Sequence, residues 1–224
     1  MVQRQLIKRA SPTIFDVGAN VGVVAAQYRS LFPGAIIHCF EPFAESYKEL
    51  QERFAGDKSV LPHQVAVCES TGRQSLYSNS SALTNSLLST DPRAGAVWGK
   101  GLVDNRATVE VDSTTLDHFC AQNAIDMIDI LKLDIQGSEL MALQGAASML
   151  SRQSISLIYL EVILGETYAN QPRLVDYLDK LNSQEYELLD FYNPVRRDMR
   201  LIQMDAIFLS KNMKEAWQQR LAQA

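Results

Sequence analysis

The chain has 224 residues, a net charge of −5 and a pI near 5.3, with 46% hydrophobic and 21% charged residues. That composition excludes a disordered or fibrous chain, and the length suits one α/β domain with a sizeable core. An acidic chain offers no electrostatic footprint for phosphate backbones, and no window approaches about eighteen apolar residues, so neither nucleic acid nor membrane is an expected partner.

Cys39, Cys68 and Cys120 stand far apart, two of them in apolar strand-like runs, which reads as reduced buried thiols and a cytoplasmic setting. Residues 1–11 form a lead-in that Ser11-Pro12 separates from the first strand, at residues 13–17. Gly18-Ala19-Asn20-Val21-Gly22 follows, then a helix beginning near Asn20 and stopped by Pro33-Gly34. A second strand at residues 35–40 closes on Glu41-Pro42. A helix over 44–54 carries Tyr47, Leu50 and Phe54 on one stripe, and residues 64–68 read as a third strand.

Residues 74–77 and 107–111 alternate like paired edge strands. The polar stretch between them, 79–106, is long enough to predict a substrate loop. A helix over 115–122 leads to a buried strand at 128–134, another helix through Leu150, and a strand at 155–161. A helix over 172–182, strands at 186–191 and 205–209 joined as a hairpin around 193–204, and a polar helix over 211–224 complete the chain. Strand and helix alternate at spacings that require right-handed crossovers. The expected fold is α/β, a doubly wound, Rossmann-like, mostly parallel seven-stranded sheet with an antiparallel C-terminal hairpin and helices on both faces.

In open parallel sheets a ligand sits beyond the carboxyl ends of the strands. Asp16, Glu41, Asp134 and Glu161 all fall at such ends. Gly18 and Gly22 permit backbone angles closed to other residues and let a ligand approach the main chain. Glu41 lies 19 residues after Gly22, where a carboxylate accepts hydrogen bonds from both hydroxyls of a ribose. A nicotinamide dinucleotide calls for G-x-G-x-x-G, but Asn20 holds the middle position, and Asp16 suits a ligand ammonium better than a pyrophosphate. S-adenosylmethionine has that ammonium, a ribose and no phosphate. The alternatives are a nicotinamide-dependent oxidoreductase and a non-catalytic relative that keeps the cofactor fold.

The ordered set Phe15-Asp16-Val17-Gly18-Ala19-Asn20-Val21-Gly22, Phe40-Glu41-Pro42, Asn85-Ser86-Leu87-Leu88, Thr115-Leu116-Asp117, Leu131 to Glu139, Leu160-Glu161-Val162 and Asp205-Ala206-Ile207-Phe208 resembles FkbM-type methyltransferases of the class I S-adenosylmethionine-dependent superfamily. The resemblance implies cofactor contacts from Asp16, Gly18, Asn20, Gly22, Glu41 and Asp134, with adenine beside Val65 and Ala66. It also implies O-methylation, often of a sugar or natural-product hydroxyl. Gln136 stands where many members have Glu, and the lead-in is shorter than the family's usual one.

Methyl transfer to oxygen needs an in-line hydroxyl and removal of its proton. Asp134, Glu139 and Glu161 are the carboxylates expected around that hydroxyl, Asp134 first as the base. Asp134 and Glu161 are also placed as two Mg²⁺ ligands are in catechol O-methyltransferase-like enzymes, although no third ligand is evident. Glu139 and Asp117 equally suit the first turns of helices. His38, His63 and His118 read as packing or surface residues. Trp98 reads as a stacking platform or a loop anchor, and Arg196, Arg197 and Arg200 as a solvated turn. The expected partner is a small-molecule or glycan acceptor, and the chain is compatible with a homodimer.

Overall fold

The computed structural model describes residues 2–99 and 101–223. In chain order its elements are α1 (Gln3–Leu6), β1 (Thr13–Val17), α2 (Val23–Leu31), β2 (Ile36–Phe40), α3 (Ala44–Arg53), β3 (Val60–His63), β4 (Ala66–Val67) and β5 (Gly72–Asn79). There follow α4 (Ala94–Trp98), β6 (Asn105–Thr114), α5 (Leu116–Gln122), β7 (Ile128–Leu133), α6 (Glu139–Gln144), α7 (Ala147–Ser151) and β8 (Ile155–Ile163). The chain ends with α8 (Leu174–Asn182), β9 (Tyr186–Arg197), β10 (Arg200–Ser210) and α9 (Lys211–Ala222).

Seven strands form one sheet in the order β3-β2-β1-β7-β8-β10-β9, parallel from β3 to β8, with β10 antiparallel to both β8 and β9. The order reverses between β1 and β7, which opens a crevice at their carboxyl ends. All six residues of β7 are buried, as a parallel strand covered on both faces requires. Phe15, Leu131, Leu133, Ile158 and Leu160 pack on one side of the sheet, and Ile14, Ile37, Ile130, Leu157 and Ile207 on the other.

Three expectations are corrected. The third parallel strand is Val60–His63 and not 64–68. Pro62 lacks a ladder donor and fits there because β3 is the sheet edge. Ala66–Val67 instead pairs with β6 in a separate three-stranded sheet, β4-β6-β5, so β5 and β6 pair with each other but stand outside the main sheet. The terminal hairpin is longer than expected and turns at Asp198 and Met199, both at positive φ as twist-matched two-residue turns require.

The lead-in docks onto the sheet. Leu6 and Ile7 are buried, Arg220 of α9 donates to Leu6 O at 3.1 Å, and Arg9 pairs with Asp129 at 3.4 Å. Residues 1 and 224 of the expected lead-in and terminal helix lie outside the described residues, as does residue 100 of the expected loop.

Side chains two apart on a strand share a face. Asp16 therefore lies with Ile14, Lys132 with Ile130, and Tyr159 and Glu161 with Leu157. Register places Lys132 between Asp16 and Tyr159, and Asp205 opposite Glu161. An apolar face thus turns polar and charged at the carboxyl edge of the sheet.

Candidate active site

A cavity of about 400 Å³ occupies the crevice, within the range of sites for drug-sized ligands. Gly18 and Asn20 from the β1 turn, Glu41 after β2, and Val65 and Ala66 beside β4 line one half of it. Gly18 has φ +77°, and a Cβ there would stand 1.9 Å from Asp134 O, so glycine is required for both angle and space. Gly22 is not on the wall. Its φ of +80° and a would-be Cβ 2.6 Å from Phe54 fit it to start α2 at Val23, later than the expected Asn20.

Glu41 is 7% exposed, and each carboxylate oxygen accepts one backbone N–H at 2.9 Å, from Asn20 and from Phe43. Burial raises its pKa to about 7 against those two donors. Each oxygen keeps acceptor capacity, which suits a pair of vicinal hydroxyls.

Asp16 does not meet the cavity. It is fully buried and forms an ion pair with Lys132 Nζ at 2.9 Å. Lys132 also contacts Asp134 at 3.5 Å and donates to Gly18 O at 3.2 Å. Burial opposes its charge, but Asp16 and then Asp134 outweigh that and raise its pKa. The ammonium expected from the ligand at Asp16 is thus supplied by the protein.

The three acids expected around one hydroxyl separate. Asp134 and Glu161 reach the cavity, whereas Glu139 is fully buried beneath it. Glu139 Oε1 accepts from Ile135 N at 2.9 Å, and Oε2 from the Tyr177 hydroxyl at 3.2 Å, so it braces the 134–138 turn. Burial raises its pKa to about 7. Glu161 accepts from Gln136 Nε2 at 2.7 Å and from Gln203 Nε2. Burial first, then Asp134 and Glu139, push its carboxyl well above the usual range. Asp134, with a side chain 40% exposed, is the most open of the three.

Sequence reasoning gave Gln136 no role beyond its departure from Glu, and Tyr168 none. Gln136, at φ +57°, extends Nε2 to both Asp134 (3.1 Å) and Glu161 (2.7 Å). An amide donor therefore stands between the two carboxylates whose placement also resembled a pair of Mg²⁺ ligands, and the described residues contain no cluster of three His, Cys, Asp or Glu able to hold a metal. The Tyr168 hydroxyl lies 2.9 Å from Gln136 Oε1 and 3.0 Å from Thr84 O, and Ser86 Oγ donates to Gln136 O at 2.7 Å. The positive φ at Gln136 leaves no pattern in composition, so only the flanking Asp134 and Gly137 hinted at a turn.

Loop residues from Ala82 to Leu87, with Trp98, Leu102 and Val103, line the outer half of the cavity. Trp98 both lines it and anchors the loop, donating from Nε1 to Thr167 Oγ1 at 2.6 Å. Arg197 holds the same segment by donating to Val97 O at 2.7 Å. Asp117 caps α7 by accepting from Ser148 N and Met149 N at 2.7 and 2.9 Å. His38 and His63 stack beside Phe40 and Phe119, 3.1 Å apart between ring nitrogens, as packing residues.

Residues 16–188 match the family model of the FkbM methyltransferase domain. The chain belongs to this family. The methyltransferase is 27% identical over 188 residues to 2-O-methyltransferase NoeI of Sinorhizobium fredii, covering 80% of this chain and 75% of NoeI. Its fold is similar to an rRNA methylase from Streptococcus thermophilus, with TM-score 0.52, 10% identity and coverage of 93% and 91% of the two chains. It is likewise similar to the fibrillarin pre-rRNA processing protein of Methanococcus jannaschii, with TM-score 0.50, 8% identity and coverage of 91% and 68%. At such identities the likeness concerns the fold.

The cavity fits the family's cofactor, S-adenosylmethionine. Among its described lining residues Lys132 is the one cation, and it is already engaged by Asp16 and Asp134, so the wall offers no free cation for a pyrophosphate. Val65, Ala66, Leu76 and Leu87 provide an apolar slot next to Glu41. No helix among the described residues is long and apolar enough to cross a membrane.

Proposed function

We propose that this methyltransferase methylates a hydroxyl of a small molecule or glycan, with Asp134 as the base. The observation that carries the reading is the arrangement of Asp134 and Glu161 around Gln136 Nε2 at the cavity floor. S-adenosylmethionine supplies the electrophilic methyl group when bound. The Gly18 turn, Glu41 and the slot at Val65 and Ala66 hold it, and the 79–106 loop covers the acceptor. Asp134 has a side chain 40% exposed whereas Glu161 is buried, so Asp134 is the stronger candidate to take the hydroxyl proton as the new carbon–oxygen bond forms. Lys132, beside Asp134, stabilises the carboxylate between turnovers. NoeI, a 2-O-methyltransferase, supports oxygen as the receiving atom.

The experiment is an acceptor screen by mass spectrometry, scored for products heavier by one CH₂, followed by Asp134→Asn. Turnover should fall by about 10²-fold or more while S-adenosylhomocysteine binding measured by calorimetry stays nearly unchanged. A variant as active as wild type would remove Asp134 from this role. Methyl gain on nitrogen or carbon, and never on a hydroxyl, would overturn the assignment of the acceptor atom.

A further inference from the structure

The main cavity occupies one side of the wall formed by Lys132 and Asp134. On its other side, between α1, α2 and the β9–β10 hairpin, lies a second cavity of about 380 Å³ that shares Val24, Lys132 and Asp134 with the first. Two polar side chains line it and make no side-chain hydrogen bond to another described residue. Gln3 of α1 is 3% exposed, and Tyr28 of α2 is 1% exposed. Asp205 also lines the wall. Its Oδ2 accepts from the Tyr159 hydroxyl and from Asn193 Nδ2 at 2.7 Å, while Oδ1 has no donor among the described residues.

The chemistry of this wall is selective. A bound phosphate or carboxylate would meet Asp134 and Asp205, with Lys132 already engaged. Gln3 and Tyr28 each both donate and accept, as a hydroxyl does, and Tyr28, Tyr159 and Tyr192 supply flat apolar surface between the polar groups. A neutral ring with apolar faces and a rim of hydroxyls satisfies all of these at once.

We propose that the second cavity binds a sugar unit of the acceptor, holding it so that a neighbouring hydroxyl reaches Asp134 in the first cavity. This rests on the O-methylation reading above. It assigns Gln3, Tyr28 and Asp205 to substrate binding, away from the cofactor.

The test uses the full chain saturated with S-adenosylhomocysteine and a panel of methyl glycosides of glucose, galactose, mannose and fucose as probes, read by saturation-transfer NMR titration. Tyr28→Phe and Gln3→Met remove the polar atoms while keeping the volume, and thermal melts verify folding. At least one glycoside should bind, and each variant should bind it about fivefold or more weakly, with S-adenosylhomocysteine affinity unchanged. No glycoside binding, or equal binding by wild type and both variants, would overturn the proposal. So would loss of S-adenosylhomocysteine affinity in the variants, which would give the cavity to the cofactor. Variant-sensitive glycoside binding without methyl gain on any hydroxyl would count against the reaction assigned above and leave this site standing.

Discussion

Replacing Glu41 by Gln is the sharpest probe of the cofactor half of the site. Both carboxylate oxygens accept a backbone N–H at 2.9 Å, from Asn20 and Phe43, whereas an amide offers one oxygen and turns an NH₂ toward the other donor. One buried N–H loses its partner, at a cost of about 1–3 kcal/mol, or about 2–12 °C in Tm for a chain of this size. The ribose hydroxyls lose a charged acceptor, so S-adenosylhomocysteine should bind at least about tenfold more weakly, equivalent to about 1.4 kcal/mol. In the native state the carboxyl holds its proton up to about pH 7, against an ordinary 4.5. The native state therefore binds more protons between those values. Its stability contribution from Glu41 declines as pH rises through that window, by up to about 3 kcal/mol. The better acceptor is the ionised form, so wild-type affinity for S-adenosylhomocysteine should rise with pH and level off above about 7, by up to tenfold per pH unit below it. Calorimetric titration across pH, with urea melts in parallel, reads both effects. An affinity in Glu41→Gln equal to that of wild type above pH 7 would refute the ribose contact.

Lys132→Met leaves Asp16 buried without its cation, and should destabilise the fold by about 3–5 kcal/mol in urea denaturation, with Asp16→Asn recovering part of the loss. Additive effects of the two substitutions would show that the pair is not coupled. His38 has its pKa lowered to about 4, first by burial and then by His63. The native state binds fewer protons than the unfolded state between that value and 6.5, so its contribution to stability is present above 6.5 and is lost as pH falls toward 4. Glu41 acts in the opposite sense over the same window, so the comparison is between proteins: from pH 7 to pH 5 wild type should lose about 2 kcal/mol more urea-derived stability than His38→Phe. Parallel pH dependence in both proteins would exclude His38 as its source.

What the sequence revealed follows from periodicity and local turn chemistry. β1, β2, β7 and β8 announce themselves because strands covered on both faces are largely apolar, and the Gly18 turn because no other residue fits beside Asp134 O. β3 was misplaced because Pro62 reads as a break, although a sheet edge tolerates it. The acids were found at strand ends, but spacing along the chain does not tell which way a carboxylate turns. Asp16 and Glu139 point inward to Lys132 and Tyr177, partners 116 and 38 residues away in sequence. The second cavity was equally out of reach, since Gln3, Tyr28 and Asp205 come from the start, the first long helix and the last strand.

The hydrogen bond from Ser86 to Gln136 O, with the Tyr168 hydroxyl lying near both Gln136 Oε1 and Thr84 O, ties the segment around Thr84–Ser86 and the turn that carries Asp134 into a single mechanical unit. With the acceptor placed under this loop as proposed, acceptor preference is not a detachable module. A loop transplanted from a relative brings a new pocket wall, and unless it also carries a hydroxyl at position 86 it releases the turn that aims the Gln136 amide. Engineering a new acceptor here means exchanging residues 79–106 together with Gln136 and Tyr168, and selecting variants for a rigid turn before selecting them for a wider pocket.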